Sequence, residues 1–118
     1  MSEEIKKAVT VRVSSLSDLA RLASSMLSRM LVMPVYRYRE GGKAVYFVQT
    51  VYKDYYKQYG LPIVYYYEHE APEETEPKYI LARADELGEK VEVSDRVKTG
   101  WVVIPIINLD EKPEFFPD

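Results

Sequence analysis

The stretch VYRYREGGKAVYFVQTVYKDYYKQYGLPIVYYY, running from Val35 to Tyr67, decides how the fold is read. In its first part Tyr36 and Tyr38 alternate with Arg37 and Arg39, the two-residue period of a strand. Glu40-Gly41-Gly42 offers the positive-φ residues of a tight turn, and Lys43 to Gln49 returns, so the pair reads as a β-hairpin. The next part sets propensity against period. Tyr and Val favour strands, yet Val48, Val51, Tyr52, Tyr55, Tyr56 and Tyr59 recur at helical spacing, with Gln49, Thr50, Lys53, Asp54, Lys57 and Gln58 between them. Gly60 stands where a helix C-terminal cap belongs and Pro62 follows two residues on, so the period predicts a short helix from about Val51 to Tyr59. Leu61 to Tyr67 then reads as a strand that is apolar on both faces.

Upstream, Ala8 to Val13 alternates with Val9, Val11 and Val13 on one side, which predicts a half-buried strand. From Ser15 the period changes. Leu16, Leu19, Ala20, Ala23, Met26, Leu27, Met30 and Leu31 recur three and four apart, so a helix is expected from Leu16 to Val32. Ser15 with Asp18 three residues later supplies a capping arrangement, and Pro34 discourages Met33 from remaining helical. Downstream, the segment 69–77 carries acids and two prolines and reads as a solvated loop. Tyr79 to Ala84, Lys90 to Val93 and Trp101 to Ile107 read as strands separated by turns at Leu87-Gly88 and Lys98-Thr99-Gly100. Pro105 marks the last of them as an edge or a bulge. The segment 110–118 is an acidic tail, either frayed or docked, that carries Phe115-Phe116.

These elements predict one α+β domain over residues 1–118: a mainly antiparallel sheet covered by one long helix. The first half follows the βαββαβ order of ferredoxin-like domains, and the last three strands extend the sheet. The length of 118 residues, with 47% apolar and 30% charged side chains, suits a soluble globular domain. The acidic start Met1-Ser2-Glu3-Glu4 and the lack of a run of roughly 20 apolar residues point to a cytoplasmic protein with no membrane partner. Zero cysteines exclude disulfides, thiolate zinc sites and cysteine nucleophiles. One asparagine and two glutamines among many Glu, Lys and Arg match the hyperthermophile bias.

Ten of the eleven tyrosines lie between Tyr36 and Tyr67. The chain up to Tyr67 holds ten Lys and Arg against five Asp and Glu, whereas Glu68 to Asp118 holds six against fourteen, within a net charge of −3. The basic half interleaves Arg37, Arg39, Lys43, Lys53 and Lys57 with Tyr38 and its neighbours, a pattern suited to stacking bases and attracting phosphates of single-stranded nucleic acid. Lys43 to Gln49 resembles in part the third-strand signature of RNA-recognition motifs, with Lys43, Phe47 and Val48 at matching positions and Val45 where that family carries an aromatic. The resemblance implies RNA stacking on a sheet face. The first 35 residues resemble the opening of ACT-type regulatory domains, with Ser14 to Ser17 in place of the usual glycine loop, which implies a small-ligand-binding fold. Phe115-Phe116 resembles the paired aromatics of sliding-clamp-binding peptides.

Catalytic signatures are missing from the sequence: His69, the one histidine, sits between Glu68 and Glu70 in a pattern that points adjacent side chains apart, and the glycines form neither a P-loop nor a dinucleotide fingerprint. No cofactor and no metal are expected, and His69 reads as solvated. The leading expectation is a non-enzymatic protein-interaction or assembly module, its expected partners a second copy or another protein. Tyr65 and Tyr67 on the doubly apolar strand, with Phe115 and Phe116 in the tail, are its contact candidates. Nucleic-acid binding through Arg37, Tyr38, Arg39, Lys43, Lys53 and Lys57 is the alternative.

Overall fold

The computed structural model describes residues 9–27, 34–50, 63–70, 72, 76–114 and 116. Strand β1 (Val9–Arg12) leads through Ser14 and Ser15 into helix α1 (Leu16–Leu27). The helix starts where expected: the Ser15 hydroxyl accepts the Asp18 backbone N–H at 3.1 Å, and the Ser14 hydroxyl donates to the Asp18 carboxylate at 2.8 Å. Hydrogen bonds from the Ser14 and Ser15 hydroxyls to the carboxylate, helped by Arg21, hold the Asp18 carboxyl below the usual carboxylate range. The helix turns Leu19, Ala20 and Ala23 fully inward. Ser24 is buried beside them without an orphaned hydroxyl, since its Oγ donates to the Arg21 carbonyl and accepts the Gly88 N–H at 2.9 Å. Gly88 has φ +93°, and a Cβ there would come within 3.3 Å of Ser25 Cβ, so both the turn and the close approach to the helix require glycine.

The hairpin is as the alternation predicts: β2 (Val35–Glu40) and β3 (Lys43–Thr50) pair antiparallel around Gly41, φ +64°. β4 (Ile63–Glu70) pairs antiparallel with β3 over its whole length, Lys43 opposite Glu70 and Thr50 opposite Ile63. The strand therefore continues through His69 and Glu70, where a loop is expected. The long hairpin arm of β3 supplies backbone partners that far, and Glu68 lies beside Arg12 and Lys43. The expected helix from Val51 to Tyr59 and the end of the first helix at Val32 lie outside the described residues.

Strands β5 (Tyr79–Arg83), β6 (Val91–Ser94), β7 (Trp101–Ile104) and β8 (Ile106–Asn108) complete the fold. They do not extend one sheet. β6, β5 and β7 form a separate three-stranded sheet in that order, while β8 joins the larger sheet, ordered β1-β4-β3-β2-β8. The expected single strand from Trp101 to Ile107 is broken at Pro105, which lacks an N–H for a ladder. Its carbonyl instead accepts the Val35 N–H at 2.9 Å as the chain passes from one sheet to the other.

The larger sheet is mixed rather than mainly antiparallel, because β1 pairs parallel with β4 and β8 parallel with β2. Its order also departs from the ferredoxin arrangement expected for the first half. β4 is apolar on both faces and takes an interior position, which leaves β1, with Val11 and Arg12 exposed, at the edge.

The two faces of this sheet are covered differently. On the inner face Val35, Ala44, Tyr46 and Val48 pack against Leu19, Ala20 and Ala23 of α1 and against Ile80, Ala82 and Ile104 of the smaller sheet, so the helix and second sheet share one core. On the outer face Tyr38, Val45, Phe47 and Val64 form a second cluster, joined by Phe116 from the C-terminal segment. Burial of each large side chain contributes roughly 1.5–3 kcal/mol, so a strand that buries both faces acquires about twice the hydrophobic stabilisation of a half-buried one.

Candidate interaction site

The outer face is an aromatic socket closed by a strap. Alternation along β2, β3 and β4 places Tyr36, Tyr38, Val45, Phe47, Val64 and Tyr66 on this side. Tyr36 stacks on Phe47 with centroids 5.2 Å apart. The chain leaves β8 through Leu109, whose N–H donates to the Arg37 carbonyl at 2.7 Å, crosses the face, and inserts Phe116 edge-on among Tyr38, Phe47 and Tyr66 at 5.7, 5.0 and 6.1 Å. Perpendicular ring packing of this kind adds to the hydrophobic gain because positive ring edges meet negative faces. Burial, with the Glu40 and Glu68 carboxylates nearby, pushes the Tyr38 hydroxyl up to about 12. The strap runs between two grooves. One, of about 610 Å³, has Tyr36 and Phe47 on its floor; the other, of about 370 Å³, is bordered by Thr10, Lys43 and Lys112.

The inner face ends in a polar cluster instead. Arg37 and Arg39 point to this side, and Glu76, on the segment leading to β5, receives both guanidinium groups, Arg37 Nε at 3.3 Å. Arg37 also donates to Asn108 Oδ1 at 2.7 Å and to the Pro77 carbonyl at 3.3 Å, and lies over the Tyr46 ring. The Arg37 and Glu76 side chains are 11% and 10% exposed, so the pair is largely desolvated and depends on these extra bonds. Burial raises the Tyr46 hydroxyl, opposed by its hydrogen bond to Arg37. His69, expected in solvent, is partly buried and stacked with both Tyr46 and Tyr67, ring centroids 6.1 and 5.3 Å away. Its Nδ1 is buried with no hydrogen-bond partner among the described residues. The neighbouring tyrosines supply ring faces to stack against, which a loop reading from His69 onward omits.

The sequence-derived candidates therefore fall into separate places. Arg37 and Arg39 lie on the face opposite Tyr38 and are engaged by Glu76, so the sheet divides the basic and aromatic parts of the expected nucleic-acid surface. Lys43 lies 3.6 Å from the Glu68 carboxylate at the surface. Lys53, Lys57 and Phe115 are outside the described residues. Tyr65 and Tyr67 pack against the inner core, and Phe116 docks onto its own chain. Glu76 was not singled out from the sequence. Two arginines at i and i+2 on a strand, with the acids of the 69–77 segment downstream, were its signal.

A third feature is the edge formed by β7 and β8. Among the described residues each is the last strand of its own sheet, and the run Trp101-Val-Val-Ile-Pro-Ile-Ile-Asn108 holds no charged residue. Val102, Val103 and Ile107 are 37%, 36% and 40% exposed. The other edge strands each carry a charge, Arg12 in β1 and Glu92 in β6. Comparison of the chain with family models, with curated proteins and with solved structures finds no match. Among the described residues no helix is long and apolar enough to cross a membrane.

Proposed function

We propose that this chain is a non-enzymatic assembly module whose partner is a second copy of itself, joined through the β7–β8 edge. The observation that carries the reading is the uncharged run from Trp101 to Asn108 at the edge of both sheets. An edge strand presents unpaired N–H and C=O groups, and isolated domains usually guard such edges with charges. Pro105 divides this edge into pieces of four and three residues, short enough to discourage open-ended growth while leaving room for a short partner strand. A twofold-related copy presents the same run, so the contact is self-complementary and closed.

Light scattering over a concentration series tests the reading. Val103→Lys places a charge on the edge at a side chain outside both cores. The expected result is a wild-type dimer that this substitution weakens by about tenfold or more, with thermal stability at low concentration unchanged. A wild-type chain that stays monomeric at millimolar concentration contradicts it.

A further inference from the structure

We infer that the socket of Tyr38, Phe47 and Tyr66 is a recognition site for the C-terminal segment of a second copy, so that joined copies exchange their straps. The inference rests on the assembly reading above and adds which segment crosses the interface and what receives it.

The fit is already displayed by the chain's own tail. Phe116 meets three rings edge-on, with interplanar angles of 71°, 73° and 82°, and is 6% exposed. A strap of identical sequence makes the same contacts from a neighbouring copy. In such a system the socket does not distinguish the two sources, and local concentration decides between them. The point of departure matters next. The strap begins at Leu109, immediately after β8, so pairing two copies at the β7–β8 edge sets the two strap origins next to the shared boundary. From Leu109 to Phe116 the chain can span up to about 24 Å when extended, enough to cross from one edge strand to a neighbouring sheet face. The lie of the strap is the third observation. Grooves of about 610 and 370 Å³ flank it, so it crosses the face as a bridge rather than as a layer continuous with the sheet. Lifting it removes Phe116 and Leu109 from the outer cluster and leaves every described strand pairing of the larger sheet in place.

The chain has no cysteine, so introduced thiols are unique. Thr10 and Lys112 border the same groove beside Phe116. Full-length Thr10→Cys and full-length Lys112→Cys are mixed, treated with a short bismaleimide, and analysed by denaturing electrophoresis and mass spectrometry. Light scattering of the same mixture is recorded. Exchange predicts a cross-linked species containing one of each chain, in excess over either like pair. Adding Phe116→Ala to the Lys112→Cys chain lowers its yield about tenfold, the loss expected for deleting a buried aromatic anchor. A free peptide of residues 109–118 competes with the cross-link in the otherwise wild-type pair. The same peptide with alanine in place of Phe116 does not, which keeps the test valid if the full-length Phe116→Ala chain fails to fold. A dimer by light scattering that gives no mixed cross-link, or a cross-link indifferent to the peptide, overturns strap exchange and leaves the assembly reading standing. A mixed cross-link in a dimer that survives Val103→Lys upholds exchange and overturns the β7–β8 edge as the contact. A monomer with no cross-link overturns both.

Discussion

The inner and outer faces of the larger sheet are built from the same three strands and similar side chains, yet they are closed in different ways. The inner face is covered by a helix and a second sheet, elements with their own hydrogen-bonded frameworks, and its polar end is tied by Arg37, Arg39 and Glu76. The outer face is closed by a strap whose anchor is Phe116. Regular elements distribute the closure over a hydrogen-bonded framework, whereas the strap's largest buried anchor is a single ring. That difference makes the outer face the one that opens at modest cost.

The comparison is broken most forcefully at Glu76. Glu76→Ala leaves two largely buried guanidinium groups facing each other, and the chain should lose roughly 3 kcal/mol in a denaturant titration. If the loss is below about 1 kcal/mol, the network is solvated and the inner face is not closed as described. Phe116→Ala comes next, at about 2 kcal/mol, below the usual core value because the strap lies over the sheet face and can collapse onto the space it leaves. The distinguishing result is in amide exchange: the inner-face strands keep their protection while the strap and its socket lose theirs.

Much of this contrast is legible in the sequence, and the part that is not has a physical reason. Local period predicts β1, α1 and the β2–β3 hairpin, because alternation and helical spacing are written within a few residues of one another. The same alternation that marks β2 as a strand also sends Arg37 and Tyr38 to opposite faces, so the sequence itself argues against one basic aromatic surface there. What it does not display is pairing between distant segments. Val35 opposite Ile106 and Val9 opposite Ile63 depend on which strand takes the interior of the sheet, and no local pattern states that. Phe116 is visible as an exposed-looking aromatic in an acidic tail, but only the assembled socket of Tyr38, Phe47 and Tyr66 shows which way it turns. Pro105 is read as a break in a strand. That the break transfers the chain between two sheets follows from the packing of the whole.

Alkaline pH sharpens the comparison more gently. The Tyr38 hydroxyl titrates near 10 when unfolded and at about 12 in the socket, so the folded state holds its proton longer. The stability contributed by this difference is fully present below about pH 10 and is lost as pH rises toward about 12. Tyr38→Phe keeps the ring and removes the titrating group, so its melting temperature should fall less across that interval than that of the wild type. Equal slopes would place the Tyr38 hydroxyl in solvent instead.

The central claim is that the uncharged β7–β8 edge is paired with a second copy. Amide hydrogen exchange of residues 101–108, followed from micromolar to millimolar protein, measures that edge directly. The account predicts that protection across β7 and β8 rises with protein concentration, while protection in β3 and β4, whose partners lie within the chain, does not change. Exchange at 101–108 that is independent of concentration would contradict it.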